Sequence, residues 1–192
     1  MTKKTFGPQP MVWPHPTTLV GANVESKPDF AAVAWTGVAA SNPASVTIAL
    51  QPHRYSLKGI YENRTFSLNV PSADLVKETD YCGLVSGANT DKVKDCKFKV
   101  FYGKLKTAPL IEQCPINLEC EVTQILNLGS HHLVVGKVVE TYVSEECLTD
   151  GKPDMDKVKP FAFGPGKYYT VGGAFADAFK IGWEIKPKPT KK

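Results

Sequence analysis

Leu118-Glu-Cys-Glu-Val-Thr-Gln-Ile-Leu126 and Leu133-Val-Val-Gly-Lys-Val-Val-Glu-Thr-Tyr-Val143 are the two longest strand-like runs in the chain. Both are dense in β-branched residues, which suit a pleated, half-buried surface. Asn127-Leu128-Gly129-Ser130-His131-His132 joins them, and so short a polar link containing glycine predicts an antiparallel hairpin. Working outward, Thr65 to Val70 reads as another strand, stopped by Pro71-Ser72. Ser45 to Leu50 is a further β-branched strand, entered through Ser41-Asn42-Pro43-Ala44, where Ser and Asn side chains bond the local backbone and proline presets φ. Thr17 to Val24 and Phe30 to Ala39 complete the set as two strands around the turn-like Glu25-Ser-Lys-Pro-Asp29.

Helical signals are few. His53 to Arg64 carries Tyr55, Leu57, Ile60 and Tyr61 at two- to four-residue spacing, which predicts a short amphipathic helix despite Gly59. Ser72 reads as the N-cap of a second helix through Asp74, Leu75 and Val76. Gly83, Gly87 and Asn89 mark a loop, and Asp91 to Lys94 opens one more helical turn. Residues 145–167, rich in Gly and Pro, read as loop. Pro8, Pro10, Pro14 and Pro16 make residues 1–16 an extended arm. One domain is expected over 17–185, followed by a flexible basic tail, 186–192, in which Lys186, Lys188, Lys191 and Lys192 alternate with Pro187 and Pro189. The expected fold is all-β with a few short helices, a closed or partly closed antiparallel barrel.

The chain has 192 residues, 42% of them hydrophobic and 22% charged, enough apolar material for a core without a staple. Its net charge of +4 is a mild excess, without the concentrated Lys/Arg stripe of a nucleic-acid protein. The five cysteines, at positions 82, 96, 114, 120 and 147, show neither zinc-knuckle nor thioredoxin-like spacing and read as reduced thiols. No signal-like run follows the N-terminus and nowhere do ~18 apolar residues stand together, so a soluble, cytoplasmic protein without membrane association is expected. There is no Gly-x-Gly-x-x-Gly, Walker loop or Gly-x-Ser-x-Gly elbow. Any redox cofactor would therefore lie on the barrel itself.

Three segments carry chemistry. Ala31 to Ala40 is small and apolar apart from Trp35 and Thr36. Its small side chains let a planar ring approach, with hydroxyls from Thr36 and Ser41 and the bare backbone of Gly37; packing against a helix is the alternative. Gln51-Pro52-His53-Arg54-Tyr55-Ser56 sits where a helix begins, a place whose free N–H groups and dipole suit phosphate, with Arg54 as a bidentate partner. The alternative there is a plain Ser cap beside a solvated Arg. His131-His132 lies at the hairpin turn, where a histidine can meet a nicotinamide or hold a proton near neutral pH, or simply face water. No metal site is expected, because adjacent strand residues point to opposite faces.

Taken in order, these segments resemble the flavin reductase-like family of FMN-binding split barrels, and most closely its flavoredoxin branch. The matching pieces are Ala34-Trp35-Thr36-Gly37, Ser41-Asn42-Pro43, Pro52-His53-Arg54-Tyr55-Ser56, Phe66 to Ser72, Cys82 to Gly87 with Asp91-Lys92, Ala108 to Glu112, Leu118-Glu119-Cys120, and His131 with Gly136. The resemblance implies a Greek-key split β-barrel that forms a homodimer, with FMN near the subunit interface. By the same resemblance Trp35, Thr36, Gly37, Ser41, Asn42 and Pro43 face the isoalloxazine ring and ribityl chain. Arg54 and Ser56 hold the phosphate, with Asn69 nearby, and Gln51, Tyr55, Ser86 and Lys92 are further cofactor contacts. His131 stands where reductases of the family meet the nicotinamide. The implied activity is NAD(P)H:flavin oxidoreduction, a hydride passing from NADH or NADPH to FMN. The alternatives are a flavoredoxin-type electron carrier with tightly held FMN and a protein redox partner, and a non-catalytic ligand-binding barrel.

Overall fold

The computed structural model describes residues 1–185; the basic tail expected at 186–192 lies outside the described residues. Seven strands form one antiparallel sheet: β1 (Thr18–Val24), β2 (Lys27–Val33), β3 (Thr36–Ser41), β4 (Ala44–Leu50), β5 (Thr65–Val70), β6 (Ile116–Asn127) and β7 (His132–Val143). Their order across the sheet is β2-β1-β5-β6-β7-β4-β3. The edge strands β2 and β3 are separated in sequence only by Ala34 and Trp35. Two residues span a few ångströms, so the sheet must curl until its two edges meet at that corner, where Ala49 N–H donates to Trp35 O at 2.8 Å. Among the described residues no strand pairing joins the edges elsewhere, and the barrel is split.

That corner corrects the sequence reading. Phe30 to Ala39 looked like one strand and is two, on opposite edges of the sheet. The periodicity of small apolar residues continues through Ala34-Trp35 and gives no sign of the crossing. The turn before it is also tighter than expected. Only Glu25 and Ser26 turn the β1–β2 hairpin, both at positive φ (50° and 66°), the backbone of the two-residue hairpins that right-twisted strands favour.

The barrel interior is apolar: Val20, Ile48, Phe66 and Val134 meet there, each essentially without solvent exposure. Burial of such side chains contributes about 1.5–3 kcal/mol each. Helix α1 (Tyr55–Asn63) adds Leu57 and Ile60 to this core. It packs so closely on β1 that a Cβ at Gly59 would stand 2.1 Å from Asn23 O. The glycine that weakened the helix reading is thus required by the packing. β1 is buried along its whole length. One face lies in the barrel, and the other lies under a second cluster of Leu19, Phe30, Cys82, Phe98, Ile111 and Cys114. That cluster is built by the excursion between β5 and β6, which contains α2 (Val76–Leu84) and α3 (Lys92–Asp95). Ser72 is extended and makes no side-chain cap; a 3-10 turn over Ala73–Leu75 leads into α2 instead. Asp91 does cap α3, its carboxylate accepting from Lys94 N–H at 3.0 Å.

The stretch read as loop, 145–167, holds more structure than expected. Phe161–Gly164 pairs with His15–Pro16 and with Lys167–Thr170 in a separate three-stranded sheet. Strands of two to four residues are too short for a two-residue period to emerge among glycines and prolines. Among the described residues no helix is long and apolar enough to cross a membrane.

Candidate functional site

The corner where the sheet edges meet opens a cavity of about 390 Å³, lined by the end of β2 and its crossing (Ala32, Val33, Ala34, Trp35), the end of β4 with Gln51, and Arg54, His131 and Phe163. Three alanines, Ala32, Ala34 and Ala49, keep part of its wall small and apolar. Polar side-chain groups come from Gln51, Arg54 and His131, with the indole N–H of Trp35. Its volume falls in the roughly 300–1,000 Å³ range of small-molecule sites. The Trp35 and His131 rings lie over one another, 4.3 Å between centroids and tilted by 33°. Desolvation against this wall holds the His131 pKa below its usual 6.5, so the ring is neutral at pH 7. Ser130 Oγ lies 3.1 Å from its Nδ1.

A smaller cavity of about 130 Å³ adjoins at Arg54, which lines both. It is formed by Ala31 of β2, by His53, Arg54, Tyr55 and Ser56 at the start of α1, by Leu84 at the end of α2 with Val85 and Ser86 after it, and by Lys92 of α3. No side chain caps α1, so its first turn leaves N–H groups for whatever occupies the cavity. Ser56 Oγ is fully buried and has no hydrogen-bond partner among the described residues. Arg54 is anchored by donation from Nη1 to Gly83 O at 2.8 Å. Lys92 is buried, its Nζ donating to Phe30 O at 2.6 Å and paired with Asp29 Oδ1 at 3.1 Å. Burial raises the pKa of Asp29 and Lys92 partly offsets that rise. Gly87 is forced here, since a Cβ would fall 2.1 Å from Asp29 Oδ1.

The structure therefore brings together Trp35, Gln51, Arg54 and His131 at one cavity and Arg54, Tyr55, Ser56, Ser86 and Lys92 at the other. Thr36 and Gly37 line a neighbouring apolar hollow on the far side of Trp35, with Thr36 Oγ1 donating to Thr47 O at 3.0 Å. Ser41, Asn42 and Pro43 stand apart, at the turn that closes the opposite end of the β3–β4 hairpin. Asn69 is also elsewhere. Its amide donates to Leu19 O and Ser67 Oγ and accepts from Ile111 N–H and Asn117 Nδ2. It ties β5 to its neighbours, and no hydrogen-bonding group is left for a ligand. Phe163 was not anticipated, because its strand read as loop. Ala49 and Leu50 follow from the strand that leads into Gln51, and Leu84 and Val85 had no signal beyond their place before Ser86. Among the described residues no cluster of His, Cys, Asp and Glu could hold a metal.

A split antiparallel barrel with an apolar slot at its corner and an uncapped helix start beside it defines a class of ligand-binding barrel. The family within that class follows from comparison: the model of the flavin reductase like domain matches residues 12–172, and the chain belongs to this family. The flavoredoxin of Methanosarcina acetivorans is 39% identical, with 96% of this chain and 100% of that one covered and a TM-score of 0.92. For the flavoredoxin of Desulfovibrio vulgaris (Miyazaki F) the values are 33%, 94%, 100% and 0.87. An uncharacterised protein of Archaeoglobus fulgidus is 28% identical over 163 residues, 85% of this chain and 91% of its own.

Proposed function

We propose that the chain is an FMN-binding flavoprotein that moves electrons, with the FMN phosphate in the small cavity and the isoalloxazine ring in the larger slot. The observation that carries this reading is Ser56 Oγ, buried without a partner at the uncapped start of α1. A buried hydroxyl left unsatisfied costs about 1–3 kcal/mol, and a phosphate oxygen in this cavity would remove that cost. Arg54, fixed to Gly83 O and shared by both cavities, stands where phosphate and ribityl chain would join the ring. The residues present fit the group.

FMN, when bound, supplies the two-electron acceptor for a hydride. The residues do the rest. Ala32, Ala34 and Ala49 leave room for a flat ring and keep water from its inner face. Trp35 and Phe163 bound the slot, and Gln51 offers an amide to its rim. His131, neutral and stacked on Trp35, stands at the open side, where it would orient the nicotinamide of NADH or NADPH. The reading includes a homodimer. Val38 on the unpaired edge of β3 is 85% exposed, and Phe175 and Phe179 are almost wholly so, apolar area that a second copy would cover. In that arrangement Ser41–Pro43 would reach a site shared between subunits.

A second reading, a flavoredoxin-type carrier charged by a protein redox partner, is favoured by the 39% and 33% likeness to two flavoredoxins. An anaerobic spectrum taken before and after NADH or NADPH separates the two. Bleaching of bound flavin by either nucleotide establishes the reductase. Flavin that neither nucleotide bleaches, but a reduced partner protein does, establishes the carrier.

A further inference from the structure

Cys82 and Cys96 lie on α2 and at the end of α3, the two helices that contribute Leu84 and Lys92 to the small cavity. Cys82, near the end of α2, is wholly buried. Cys96 caps the C-terminus of α3 and packs, half-buried, against the apolar cluster that contains Cys82. Its Sγ lies 3.9 Å from Glu78 O, one helical turn before Cys82, and each thiol lies close enough to perturb the ionisation of the other. Cys96 also lines an open surface hollow of about 370 Å³ with Lys77, Glu78, Tyr81 and Asp95. One sulfur is thus reachable from solvent and the other sits behind it.

Neither cysteine lines the cavity assigned to phosphate, but each stands within four residues of ones that do. Gly83, directly after Cys82, supplies the carbonyl that anchors Arg54, and Leu84, Val85 and Ser86 line the cavity. Lys92, one turn before Cys96, lines it from the other side. A covalent link between the two sulfurs would join these walls.

We propose that Cys82 and Cys96 are a redox pair that closes to a disulfide with hydrogen peroxide and so clamps the α2–α3 wall of the cavity. The Cys96 thiolate attacks the peroxide, the O–O bond breaks, and the products are Cys96 sulfenic acid and hydroxide, which takes up a proton to become water. The Cys82 sulfur then displaces hydroxide from the sulfenic sulfur as its own proton leaves, giving the S–S bond and a second water. Two thiols and one peroxide become one disulfide and two waters, and two electrons pass from sulfur to the peroxide oxygens. Burial, with Glu78 and Asp95 facing it, holds the Cys96 proton on, while Cys82 and Lys92 act the other way; the reaction therefore quickens as pH rises.

The test is peroxide treatment of the whole protein, followed by non-reducing peptide mapping, with Cys96→Ser and Cys82→Ser as controls. Expected is a single linked peptide joining residues 82 and 96, cleared by dithiothreitol and absent in both variants, together with slower amide exchange over residues 83–92. Free Cys82 beside an over-oxidised Cys96, or linkage through Cys114, Cys120 or Cys147, overturns the proposal. The effect on cofactor rests on the FMN reading: release from the oxidised form is expected to slow about fivefold, ~1 kcal/mol. Unchanged release and unchanged exchange in a linked protein would refute the clamp. A chain that takes up no FMN would refute the functional reading and leave the mapping result standing.

Discussion

Replacing Ser56 by alanine should make the apoprotein more stable and the cofactor weaker, two effects of opposite sign from one atom. Ser56 Oγ is 0% exposed and without a partner. The folded apoprotein therefore carries the desolvation cost of a hydroxyl with no protein bond in return, about 1–3 kcal/mol. Alanine removes the hydroxyl and leaves only a small void, so a gain of about 1 kcal/mol in unfolding free energy is expected. With FMN bound, the same hydroxyl would donate to a charged phosphate oxygen, an interaction worth about 1.5–3 kcal/mol. Its loss should weaken binding roughly 10- to 150-fold. Urea unfolding of the apoprotein reads the first quantity, and fluorescence titration with FMN reads the second. An apoprotein destabilised by the change, or an unaltered FMN affinity, would refute the reasoning, because either result means Ser56 already has a partner other than phosphate.

Three further outcomes are expected. Lys92→Met leaves Asp29, 4% exposed, without its counter-ion, at a cost of about 3–5 kcal/mol near neutral pH. Burial already raises the Asp29 pKa above 3.8 and the variant raises it further, so the loss should shrink as pH falls towards 3.8, where the carboxyl enters the protonated form. Equal destabilisation at all pH values in denaturant titrations would contradict this. The His131 ring should titrate below 6.5 by NMR, and Trp35→Ala should move its midpoint back towards 6.5 by exposing it. Because the folded midpoint is the lower one, the small stability contribution of His131 is complete above 6.5 and lost as pH falls through that midpoint. Finally, Glu25→Asn with Ser26→Gly places residues that accept positive φ in the β1–β2 turn, where φ is 50° and 66°, and should raise unfolding free energy by about 1 kcal/mol.

Much of the barrel was legible because its strands are long or strongly β-branched. The β6–β7 hairpin, β4, β5 and α1 appear within a residue or two of their expected bounds. The edge crossing at Ala34-Trp35 was not, since it is a global event; nothing local distinguishes a strand that continues from one that changes edge. The small cavity at the start of α1 was legible in part. Arg54 and Ser56 share one segment, and helix-start chemistry singles them out. Asn69 shows the limit of reading by likeness. An asparagine in the right motif can spend every hydrogen bond inside the core, and only the partners around it decide which. Phe163 reaches the slot, and Cys96 packs against the cluster that holds Cys82, by tertiary contacts that leave no trace in local pattern.

Whether this chain holds FMN decides the function proposed for it. The most direct measurement is the visible absorbance of the freshly purified protein, with its flavin released, identified and counted per chain, and reloading attempted where flavin is lacking. FMN near one per chain, or recovered to that level by adding FMN, is the result expected. A colourless protein that adding FMN neither colours nor stabilises against heat would contradict it, since a ligand that binds the folded state must stabilise that state.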